Sequence, residues 1–135
     1  MEVIVSRECD IWAKSRAEKL TAVDAVLGRT SRFADENGFY VDSVEPGLVL
    51  LPSGWEGRLK KLEVPPVIAW CLDVNDLVVS KLNAGRIKDY EFINAMLRLR
   101  LADLSLIEQR IWTFPDPVLQ ARLLARLRMS LEGLP

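Results

Sequence analysis

Leu72-Asp73-Val74-Asn75-Asp76-Leu77-Val78-Val79-Ser80-Lys81-Leu82-Asn83-Ala84-Gly85-Arg86-Ile87-Lys88-Asp89 is the stretch in which the chain changes character. Asp73 reads as a helix N-cap, with Asp76 at N3 as a carboxylate variant of the capping box and Gly85 as the stop. After it the pattern is helical. A second helix is predicted over Ile87–Leu101, with Phe92, Ala95, Met96 and Leu99 on one stripe. A third lies near Leu104–Trp112, and a last one, Val118–Leu131, follows the interruption at Pro115 and Pro117. Before the stretch the chain is rich in strands. The reading is α+β: a strand-rich part over residues 1–72, a helical region over 73–135, and one compact domain in all.

Moving toward the N-terminus, Val67 to Leu72 is short, β-branched and apolar, which predicts a buried strand. Pro65-Pro66 separates it from Arg58-Leu59-Lys60-Lys61-Leu62, and Pro52-Ser53-Gly54 is a turn signal. Phe39–Val44 and Leu48–Leu51 read as short strands on either side of Pro46-Gly47, and Asn37-Gly38 marks another turn. Arg16 to Leu27 is helical, with Leu20, Val23 and Leu27 in phase and Gly28 ending it. Val3-Ile4-Val5 and Cys9 to Trp12 form one strand, or two joined at Ser6-Arg7. Cys9 and Cys71 sit in apolar surroundings, which predicts two buried, reduced thiols.

Composition narrows the chemistry. The 135 residues include 18 Lys plus Arg, 19 Asp plus Glu, two cysteines and no histidine. Without histidine there is no Ser-His-Asp or Cys-His device, no HExxH zinc site and no Cys/His zinc finger. Two cysteines do not make a four-thiolate site. What remains is carboxylate, Lys and Arg chemistry, with a hard cation such as Mg²⁺ where a metal is needed.

Residues 1–76 hold nine basic and thirteen acidic side chains, a net −4, and residues 77–135 hold nine and six, a net +3. That asymmetry suits a cleft with metal on one wall and phosphate on the other, and equally suits solvated faces of ordinary charge. No apolar run approaches the roughly 18 residues of a membrane span. MEVIVSRECD has no basic n-region leading into an apolar h-region, so the expectation is a cytoplasmic protein without a signal peptide.

Two groups of residues can carry chemistry. Glu8 and Asp10 are i and i+2 on a strand, which points both carboxylates to one side, toward one divalent cation or toward solvent. Lys81 lies in an apolar helix, and Arg86, Lys88 and Asp89 follow at a helix junction. Cations there suit phosphate oxygens, and they also suit plain helix-end electrostatics. Arg122, Arg126 and Arg128 make the last helix basic and amphipathic, which fits an ordinary helix packed on one face better than an RNA-binding one. Trp12, Trp55, Trp70 and Trp112 are spread along the chain, and packing is their default role.

The string Leu72-Asp73-x-x-Asp76-Leu77-x-x-Ser80-Lys81-Leu82-x-Ala84-Gly85-Arg86-x-Lys88-Asp89-x-Glu91-Phe92 resembles a family of prokaryotic nucleotidyltransferase-like proteins related to the AbiEii-type toxins. Ser6-Arg7-Glu8-x-Asp10-Ile11-Trp12 and Leu50-Leu51-Pro52-Ser53-Gly54-Trp55-Glu56-x-Arg58-Leu59 share the likeness, which covers roughly residues 6 to 100. The resemblance implies a polymerase-β-like nucleotidyltransferase core and a helical region, with Mg²⁺ as cofactor and an NTP as substrate. It implies Glu8 and Asp10 as the metal-binding acidic pair and Lys81 as the phosphate-contacting lysine. Asp89 stands as the later acidic residue, with Arg86 and Lys88 as supporting phosphate contacts. Phosphoryl transfer, mostly positioning and charge neutralisation, needs no histidine.

The family's Gly-Ser phosphate-gripping pair would stand upstream of the acidic pair, yet only seven residues precede Glu8 and the first glycine is Gly28. The first acid is Glu in place of the commoner Asp, and Asp42 and Glu63 are both candidates for a third metal carboxylate. The expectation is an incomplete nucleotidyltransferase sheet and a weak or inactive enzyme of a toxin–antitoxin or phage-defence module. The alternative is a non-catalytic remnant that binds a nucleotide, RNA or a cognate protein. A sheet edge left open by the missing element would favour a homo-oligomer or docking to a partner.

Overall fold

The computed structural model describes residues 6–13 and 16–132, and Val3–Val5 lies outside them. The fold is mixed α+β, with one small parallel sheet, one small antiparallel sheet and a C-terminal helical region. The chain forms two compact units, Met1–Val49 and Leu50–Pro135.

In the first unit, β1 (Glu8–Ile11) pairs in parallel with β2 (Tyr40–Ser43), in the register Glu8↔Tyr40, Cys9↔Val41, Asp10↔Asp42 and Ile11↔Ser43. The crossover carries α1 (Leu20–Leu27) and α2 (Arg32–Asn37), and both pack on β2. Parallel pairing requires such an intervening connection, since a tight hairpin can only return the chain antiparallel. Gly28 ends α1 in an extended conformation, and a Cβ there would stand 2.3 Å from the Asp24 carbonyl oxygen. Ser31 caps α2 by accepting from the Ala34 N–H, and Gly38, at φ 76°, closes it. The Asn37-Gly38 turn signal is thus a helix C-cap.

The second unit begins with a turn at Gly54 (φ 78°) and a 3₁₀ segment, Trp55–Arg58. It continues into the hairpin β3 (Lys60–Val64) and β4 (Val67–Cys71), which turns at Pro65-Pro66. Four helices follow: α3 (Val74–Ala84), α4 (Ile87–Arg98), α5 (Leu104–Ile111) and α6 (Pro117–Glu132). Val78, Val79 and Leu82 of α3 meet Ile93 of α4, Ile107 and Ile111 of α5, Phe114, and Leu123 and Leu127 of α6 in one buried cluster. Asp73 caps α3 as expected, its Oδ1 accepting the Asn75 N–H at 3.0 Å. Gly85 ends the helix at φ 63°, a conformation side chains disfavour.

Four expectations are corrected. Leu48–Leu51 forms no strand; Pro46–Leu48 is a single 3₁₀ turn, because proline and glycine there favour a tight turn over a ladder. β4 is a strand but not a buried one: Ile68 is 56 % and Trp70 48 % exposed. A β-branched apolar run specifies extended backbone, not the layer that would cover it. Both cysteines are exposed for the same reason, since each lies in a sheet of only two strands. In α4 Phe92 and Met96 of the predicted stripe pack partly buried against the core, but the fully inward positions are Asp89, Tyr90 and Ile93, and Leu99 is 46 % exposed. Among the described residues no helix is long and apolar enough to cross a membrane.

Candidate functional site

The corner between α3 and α4 brings Lys81, Arg86 and Asp89 together. Gly85 turns the chain, Arg86 caps α4 and the helix starts at Ile87, so Asp89 falls at the third position of its first turn. There its Oδ2 accepts the Arg86 backbone N–H at 3.0 Å, in the manner of the N3 acid of a capping box. The same carboxylate takes the Arg86 guanidinium through Nε at 2.8 Å and Nη2 at 3.2 Å. Lys81 Nζ stands 3.5 Å from Asp89 Oδ1 and 5.0 Å from the centre of the Phe92 ring. Burial by itself would raise the Asp89 carboxyl. The Arg86 hydrogen bonds and the charges of Lys81 and Arg86 outweigh burial and hold it below the usual carboxylate range.

Asp89 is fully buried, whereas the Lys81 side chain is 24 % and the Arg86 side chain 53 % exposed. The corner is therefore an anchored acid beneath two cations that still reach solvent. Lys88, in the same first turn, is exposed. Arg126 completes the corner from α6. Its Nη1 donates to the carbonyls of Leu82 and Asn83 at 2.8 and 2.6 Å, satisfying acceptors that the end of α3 leaves open. A Cβ on Gly85 would lie 2.7 Å from the Arg126 guanidinium carbon. Arg122 donates to Asn83 Oδ1 at 3.0 Å. Two of the three arginines on the basic last helix thus serve packing.

A second ionic group fixes the start of α3. The Arg58 guanidinium grips the fully buried Asp76 through Nε and Nη2, at 2.8 and 3.0 Å. Arg110 Nη1 donates to Asp76 Oδ1 at 3.0 Å and also to Asp73 Oδ1. Asp76 therefore answers two arginines instead of closing a capping box. Burial would raise Asp73, but Arg110, the Asn75 N–H and Lys60 together bring it down to about 2. The hydrogen bond to Asp76 leads the effects that hold Arg58 above its ordinary value. Sequence reasoning did not find this group. Asp73, Asp76 and Arg58 stood in the family-like strings, but nothing local joined them to Arg110, which lies 34 residues from Asp76.

In the first unit, β1 carries Glu8 and Asp10. Strand alternation and the parallel register put Glu8, Asp10, Tyr40 and Asp42 on one face of the pair. The Tyr40 hydroxyl donates to Glu8 Oε2 at 3.1 Å, and Arg29 Nη2 lies 3.9 Å from the same oxygen. Among the described residues no three His, Cys, Asp or Glu side chains converge in a group able to hold a metal. The donor chemistry nonetheless suits Mg²⁺, which is commonly held by one or two carboxylates plus water and substrate phosphates. Glu63 is on β3, ion-paired with Lys61. The register thus gives Asp42 the place beside Asp10.

Neither a curated protein nor a solved structure matches the chain. A family model described as "Nucleotidyltransferase of unknown function (DUF6036)" matches residues 6–127, which include both the Glu8–Asp10 strand and the Lys81–Asp89 corner. The chain belongs to this nucleotidyltransferase family of unknown function, DUF6036.

Proposed function

We propose that the protein uses its nucleotidyltransferase fold to hold the phosphates of an NTP, and that it transfers nucleotidyl groups weakly, as a component of a toxin–antitoxin or phage-defence module. One observation carries the reading: a fully buried carboxylate, Asp89, pre-positions two solvent-reaching cations, Lys81 and Arg86. Lys81 then meets phosphate oxygens, while Arg86 and Lys88 support them with further positive charge. Asp89 acts as a positioning residue that keeps both cations oriented before the nucleotide arrives. Glu8 and Asp10 are the residues that would hold Mg²⁺, with Asp42 beside them; a bound Mg²⁺ supplies neutralisation of phosphate charge.

The second reading, a non-catalytic module binding a nucleotide, RNA or a cognate protein, is favoured by the lack of a three-donor metal group among the described residues. Calorimetric titration of the whole chain with each NTP, with and without Mg²⁺, and a radiolabelled nucleotidyl-transfer assay on RNA separate the two. The first reading expects Mg²⁺-enhanced binding that Lys81→Ala abolishes, and slow label transfer that Asp10→Ala abolishes. Binding without transfer selects the second reading. Absent NTP binding, or binding indifferent to Lys81→Ala, sinks the proposed corner.

A further inference from the structure

The first unit contains a pocket of about 310 Å³ lined by Arg7, Arg29, Ala34, Asp35, Gly38 and Tyr40. Its two arginines differ from Arg58 and Arg110, because neither is gripped by a buried carboxylate. Arg7 donates its Nε to the Gly38 carbonyl at 3.2 Å, which fixes the guanidinium while its two terminal nitrogens keep their donors. The Arg29 guanidinium lies 5.0 Å over the Tyr40 ring. Stacking uses the flat face of a guanidinium and leaves its in-plane N–H groups able to donate. Its 3.9 Å approach to Glu8 is longer than a hydrogen bond, so those donors are not consumed there.

Two held guanidiniums on one concave surface match the oxygens of a phosphate, which presents several acceptors in fork geometry. Asp35 lines the same pocket and constrains the ligand further. Its carboxylate repels a bare dianion but accepts from hydroxyl groups, so the ligand must be anionic at one end and hydroxylated at the other. The volume stands at the small end of ligand pockets and suits a single sugar-sized molecule.

We infer that this pocket binds a small phosphate monoester of a polyol, of the pentose-phosphate class, with the phosphate on Arg7 and Arg29 and the hydroxyls on Asp35. The inference does not depend on nucleotidyl transfer, since it assigns no ligand contact to Glu8, Asp10, Lys81 or Asp89.

The test is calorimetric titration of the full chain with ribose 5-phosphate, inorganic phosphate and ribose. Ribose 5-phosphate is expected to saturate one site per chain, phosphate to bind more weakly, and ribose not to bind. Arg7→Gln and Arg29→Gln each weaken ribose 5-phosphate by about tenfold or more, the worth of a charge-assisted hydrogen bond. Both side chains are exposed, and unchanged thermal melting of the variants confirms the fold. Asp35→Asn lowers ribose 5-phosphate to the affinity of phosphate. No saturable binding, equal affinity for phosphate and ribose 5-phosphate in the unsubstituted chain, or indifference to both arginine substitutions overturns the inference.

Discussion

Carboxylates have opposite environments in the two units. In the second, Asp76 and Asp89 are fully buried and each is held by at least one guanidinium. In the first, Asp10 and Asp42 stand exposed on a two-stranded face, and Glu8 is partly covered, with a tyrosine hydroxyl and a distant arginine. The buried hydrophobic residues follow the same division, since among the described residues all of them lie in the second unit. A carboxylate inside a core needs its countercharge built into the fold. A carboxylate on a thin sheet keeps much of its hydration, so it depends less on a countercharge built into the fold.

The contrast breaks most severely if Asp76 is dispensable. Asp76→Ala would leave Arg58 and Arg110 without their shared acceptor at a buried position, and should cost about 3–5 kcal/mol. Urea unfolding of the helical unit followed by circular dichroism measures it, and a loss below about 1 kcal/mol would show that the network is ornamental.

Acid should separate the units next. Asp73 sits near 2 in the folded chain against an ordinary 3.8, so its contribution is present above pH 4 and vanishes as pH falls toward 2. The helical unit is expected to lose about 2 kcal/mol from this group across that window, with Asp89 adding in the same direction. Asp73→Asn, which keeps the cap, should flatten the pH dependence; an unchanged slope assigns it to other carboxylates.

Gly85→Ala places a side chain in the left-handed region and against Arg126. About 1–2 kcal/mol is expected, read as a lower melting temperature. The smallest effect belongs to the thin sheet: Asp10→Asn should change stability by no more than about 0.5 kcal/mol while removing Mg²⁺ dependence of nucleotide binding. A large loss of stability there would mean that the exposed acids are structural after all.

What the sequence disclosed was local. The Asp73 cap, the Gly85 stop and the α3 boundaries follow from short-range chemistry, and the structure reproduces them. Lys81, Arg86 and Asp89 were legible as a group because they lie within nine residues at a helix junction and match a familiar string. The exposure of Cys9, Cys71 and Trp70 was not legible, since apolar neighbours along the chain say nothing about a covering layer. Asp76 was misassigned because a capping box is a local pattern, while its actual partners come from the segment before β3 and from α5.

Arg126 carries a consequence in time. Leu82 and Asn83 await donors that lie 44 and 43 residues further along the polypeptide. During synthesis, α3 and the Lys81 corner therefore emerge from the ribosome well before the residue that finishes them. The α3–α4 corner acquires these hydrogen bonds only once α6 has been made, so a chain interrupted before α6 carries the motif without its support.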